Sequence, residues 1–126
     1  MSNLYDMKES YDRAGYYYGM AKNAPNEAEK ASYQRKGGEE AAKGHQAAEN
    51  EKKEINNEFR EKYSELEQKR DEALEKGDMK KAQEYDQQMN KLEDETNQKL
   101  KAVEEEERKL SSEARSRMDG LEMRRY

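Results

Sequence analysis

The chain has 126 residues, 44% of them charged, and a net charge of −5. Only ten are Leu, Ile, Val or Phe, and chains so poor in these residues are disordered or elongated and helical, because they cannot fill a compact core. The acidic balance argues against a nucleic-acid surface, the absence of cysteine removes disulfides and thiolate metal sites, and no apolar stretch approaches the roughly 20 residues of a membrane span.

Residues 1–22 are rich in Tyr and Met. Leu4, Met7, Tyr11, Ala14, Tyr18 and Ala21 alternate steps of three and four, which places them on one helical face. Ser2 or Asn3 suits the cap. The segment has no apolar leader region, so the expected location is cytoplasmic, or outside the cell by a leaderless route. Tyr16, Tyr17 and Tyr18 cannot share one face. If Tyr18 packs inward, Tyr16 or Tyr17 is left exposed, and Tyr is favoured at protein interfaces. Tyr5, Tyr11, Tyr16, Tyr17 and Tyr18 are therefore candidate contacts, either for a partner or for the rest of this chain.

Asn23-Ala24-Pro25-Asn26 reads as a turn, with Pro25 in the first turn of a long helix over 25–76. Alanines dominate its first half. Gly37-Gly38 and Gly44 interrupt them, with a kink or short break expected at Gly37-Gly38, and the small residues let another helix approach closely. From residue 51 the helix is highly charged. Glu58 and Lys62, Glu65 and Lys69, and Glu72 and Lys76 are spaced four apart with Glu first, the orientation that supports a helix.

Lys76-Gly77-Asp78 is the sharpest local signal. Gly77 suits the left-handed position after a helix and Asp78 suits the N-cap of the next; the alternative is one continuous helix. The phrase resembles the turn of tetratricopeptide-type hairpins, without their 34-residue repeat. Folding back at Gly77 and Asp78 places Tyr63 opposite Leu92, Leu66 opposite Met89, Ala73 opposite Ala82 and Ile55 opposite Leu100. Further along, Gly44 and Ala41 would face Leu110 and Ala114.

The second long helix is expected over 79–118. Its seam runs through Tyr85, Met89, Leu92, Thr96, Leu100, Val103, Glu107, Leu110, Ala114, Met118, Leu121 and Arg125, with Thr96 and Glu107 as polar defects. A basic tail, 119–126, follows. Arg124 and Arg125 in it, with Arg115 and Arg117 before it, suit an acidic partner or the negative end of a helix.

No pattern for chemistry emerges. His45 is the only histidine, and Ala42 stands where a di-iron bundle would need Glu. The acidic runs at 93–95 and 104–107 point around the helix rather than converging. The chain is expected to be non-enzymatic and free of metal and cofactor.

The expected fold is all-α: a long antiparallel hairpin with a Tyr-rich N-terminal helix, forming one helical domain. The burial of ten large apolar side chains, with the Met and Tyr residues, leaves an isolated monomer marginal against the ordering of so long a chain, so the expected partner is protein: another copy or a second helical protein. Leu92, Leu100, Val103, Leu110 and Met118 join the tyrosines as candidate interface residues. Two other readings share this architecture. Size, acidity and the hairpin are similar to the small W-x-G secretion substrates, and Tyr63 to Glu67 matches a Y-x-x-x-[DE] signal. Here no Trp is present and Tyr63 precedes the turn, so the likeness is one of architecture. An acidic helical chain with a basic C-terminus also looks like the capsid-assembly scaffolds of some phages.

Overall fold

The structure, a computed structural model, describes residues 2–122. The fold is all-α, with three helices: α1 (Asn3–Lys22), α2 (Glu27–Glu75) and α3 (Met79–Glu122). No strand occurs among the described residues, and none of their helices is long and apolar enough to cross a membrane. The chain divides into two compact units, Met1–Glu51 with Val103–Tyr126, and Lys52–Ala102.

Each helix begins on a side-chain cap. The Ser2 hydroxyl accepts from the Tyr5 N–H at 3.1 Å. Asn26 Oδ1 accepts from Glu29 N–H at 2.9 Å, which makes Asn26 the cap and leaves Pro25 before the helix rather than in its first turn. Asp78 Oδ1 accepts from Lys81 N–H at 3.1 Å. Between α2 and α3 the chain closes a Schellman turn. Gly77 takes φ +74°, its N–H donates to the Leu74 carbonyl at 3.0 Å, and the Asp78 N–H donates to the Ala73 carbonyl at 2.8 Å.

Two expectations about helix limits are corrected. α2 runs without interruption through Gly37 and Gly38. A Cβ on Gly37 would lie 2.6 Å from the Tyr18 ring, so Gly37 is a seat for an aromatic ring on a packed helix, and that packing offsets the low helix propensity of glycine. α3 continues past the expected end at 118 to Glu122. Arg124 and Arg125 lie outside the described residues.

In the first unit α1 packs against α2 and α3. Met7, Ser10, Tyr11, Ala14, Gly15 and Ala21 are buried; Leu4, expected on the same face, is exposed. Ala47, Ala48, Val103, Leu110 and Ala114 complete the core. Glycines set the close approaches. Gly44 faces the Tyr11 ring, at 2.7 Å from an added Cβ, and a Cβ on Gly15 would lie 3.5 Å from the Ala114 backbone.

The second unit is a two-helix hairpin. Arg70 Nη1 donates to Asp86 Oδ1 at 3.2 Å across it, within one residue of the register expected from the turn. Phe59 and Tyr63 stack at a tilt, 5.2 Å apart. Along α3, Ala82, Met89 and Thr96 recur every seven residues and are buried, whereas Tyr85, Leu92 and Leu100 beside them are half-buried. On the part of α2 that belongs to this unit, 52–75, only Ala73 is buried; Ile55, Phe59, Tyr63 and Leu66 are half-buried. Two helices exclude water from one line of contact and leave its flank open.

Candidate functional site

The most organised polar cluster lies in the first unit, on one carboxylate oxygen. The Tyr11 hydroxyl of α1 donates to Glu107 Oε2 of α3 at 2.8 Å, and His45 Nδ1 of α2 meets the same oxygen at 2.8 Å. A carboxylate only accepts, so Nδ1 carries the proton. His45 Nε2 sits 3.7 Å from Glu49. Glu107 thus ties all three helices together. Tyr11 is 5% exposed, and burial, then the bond to Glu107, holds its phenol far above the usual range.

A second tie joins α1 to α2. Arg13 Nε donates to Glu40 Oε2 at 3.1 Å, and Lys43 adds a bond at 3.4 Å. Burial works to raise the Glu40 carboxyl, but the bonds from Arg13 and Lys43 outweigh it and hold the group below its ordinary value. Gln34 Nε2 donates to the Met118 sulfur at 3.3 Å between α2 and α3.

An open groove of about 590 Å³ runs beside Glu107, past Tyr11, His45, Ser111, Arg108 and Arg115. Its lining mixes the acids Glu104 and Glu107 with the bases Arg108 and Arg115 and the small residues Gly38, Ala41 and Ala42. Among the described residues no group of three or more His, Cys, Asp or Glu stands together to hold a metal. Tyr11 and His45 converge on one oxygen of Glu107, so the cluster acts as a polar staple between the three helices.

The candidate interface residues separate by exposure. Tyr11 is buried, and Tyr18 lies half-buried over Gly37. Tyr5 is 54% exposed and Tyr16 58%; Tyr16 meets half-buried Tyr17 edge-on at 5.6 Å. Val103 and Leu110 are buried and Met118 is half-buried in the first unit, while Leu92 and Leu100 are half-buried in the second. Leu121 is within α3. Gly77 and Asp78 form the turn.

Two residues were undervalued by sequence reasoning. Glu107 reads as a seam defect and His45 as a lone histidine, yet they bond each other while His45 stays exposed. The signal was the buried-face Tyr11, whose hydroxyl needs an acceptor. Arg70 also takes a seam position between Leu66 and Ala73, where the sequence suggests only charge.

No protein-family model, curated protein or solved structure matches this chain.

Proposed function

We propose that the protein is a non-enzymatic assembly module that works by packing helices against helices of another chain. The hairpin 52–102 carries this reading. Of its large seam residues only Met89 is buried; Ile55, Phe59, Tyr63, Leu66, Tyr85, Leu92 and Leu100 stay half-exposed. Each would gain from further cover at about 25 cal/mol per Å² of apolar surface. Leu92→Asp with Leu100→Asp tests the reading, because both side chains keep access to water in the single chain. Light scattering should show the wild type heavier than a monomer and the variant monomeric with unchanged helicity. Unchanged mass in the variant would defeat the proposal. Val103 is unsuitable for this test, since it is buried and an Asp there would disrupt the fold itself.

A second reading is supported by the outer face of α1. Tyr5 and Tyr16, eleven residues apart, fall within about 20° of one another around a helix, and both are exposed. Such a stripe suits an adaptor that binds a different protein. Tyr5→Ala with Tyr16→Ala should leave self-association intact and abolish that binding.

A further inference from the structure

The hairpin 52–102 has an open groove of about 410 Å³ between α2 and α3. Its floor includes Leu66 and Leu92, both half-buried, and its rim carries Lys62 and Glu65 on α2 and Lys91 and Glu95 on α3. Lys62 is close enough to Glu95 for the two charges to interact across the groove. The helices run in opposite directions, so Glu65 then stands level with Lys91. The rim is a checkerboard, base across from acid and then acid across from base.

A checkerboard of this kind complements itself. Turn a second copy face to face about a two-fold axis parallel to the helices, and Lys62 meets Glu95 of that copy while Glu65 meets its Lys91. Turn it about an axis across the helices, and Lys62 meets Glu65 while Lys91 meets Glu95. Both arrangements put opposite charges together around an apolar floor, which is what an isologous interface requires. We infer that a second copy of this chain seats on this groove, pairing the two hairpins into a four-helix bundle.

The size of the surface agrees. An arm of 24 residues is about 36 Å long at 1.5 Å per residue and two helices are about 20 Å wide, giving a footprint of about 700 Å². A stable interface takes about 800 Å² from each partner. The rim charges already have neighbours on their own helices: Lys62 bonds Glu58 at 2.7 Å and Lys91 lies 3.9 Å from Glu95. Those bridges are exposed and weak, so they do not prevent pairing with a second copy.

The inference rests on the assembly reading and adds the partner and the face. Two variants test it: Lys62→Glu with Lys91→Glu, which makes the rim wholly acidic, and Glu65→Lys with Glu95→Lys, which makes it wholly basic. Each alone should weaken self-association at least tenfold by light scattering over a concentration series. An equimolar mixture should recover a dimer containing one of each, with native helicity by circular dichroism. Recovery on mixing also shows that neither variant lost its fold. Carbodiimide cross-linking of an isotope-mixed wild type is the second readout, and links between differently labelled chains should join these lysines to these glutamates. If the wild type dimerises and both variants dimerise equally well alone, with no interchain link at the rim, the groove is not the interface although assembly stands. A wild type that stays monomeric at every concentration defeats self-assembly and this inference together.

Discussion

Removing one oxygen atom, by Tyr11→Phe, isolates the bond that ties α1 to Glu107 on α3. The ring would still fill its seat on Gly44, so packing is preserved. The lost hydrogen bond has a charged acceptor, a class worth about 1.5–3 kcal/mol. Glu107 is 14% exposed and keeps His45 as a donor, so the carboxylate is not stranded and the loss should sit near the lower limit, about 1.5 kcal/mol. For a helical chain of this length that is a fall in Tm of about 5 °C, read at 222 nm at pH 7. The pH dependence sharpens the test. The folded phenol titrates above the ordinary value of 10.0, so its contribution is complete below that pH. Above it the unfolded chain releases the proton first, and the contribution fades as pH rises. The gap between wild type and Tyr11→Phe should therefore narrow above pH 10. A variant as stable as the wild type at pH 7, or a gap that widens with alkali, would refute the reasoning.

Other substitutions separate the roles of the glycines and ion pairs. Gly44→Ala should destabilise despite the better helix propensity of Ala, because its Cβ meets the Tyr11 ring at 2.7 Å, whereas Gly38→Ala, with open space around it, should stabilise by about 0.5–1 kcal/mol; thermal melts of the pair should move in opposite directions. Gly77→Ala places a side chain at φ +74° and should cost about 1–2 kcal/mol, measured by urea unfolding. Glu40→Gln removes a carboxylate whose folded value is depressed. Its contribution is present above the unfolded value and lost as pH falls through the folded one, so the stability difference from wild type should shrink on acidification from pH 6 to pH 3.

Much of the fold was legible because the signals are local. Gly77 and Asp78 specify the turn by backbone chemistry alone, and the seam of α3 follows from spacing, with each described member from Tyr85 to Met118 buried or half-buried. The failures are tertiary. Gly37-Gly38 looks like a break because propensity knows nothing of Tyr18, which needs the space a side chain would fill. Glu107 looks like a defect because a single helix does not reveal that Tyr11 and His45 arrive from two others. The interface candidates are on one list in the sequence, yet Tyr11, Val103 and Leu110 serve the core while Tyr5 and Tyr16 are exposed and Leu92 and Leu100 half-exposed. Periodicity identifies the face that packs; it does not say whether the chain itself supplies the cover.

Hydrogen exchange at two protein concentrations, well below and well above the onset of self-association, tests that last point most directly. If a second chain covers the hairpin, amides in 52–102 should gain protection at the higher concentration, while those of the core residues Met7 to Ala21 change little. Exchange in 52–102 that is the same at both concentrations, in a sample whose mass has doubled, would contradict the account.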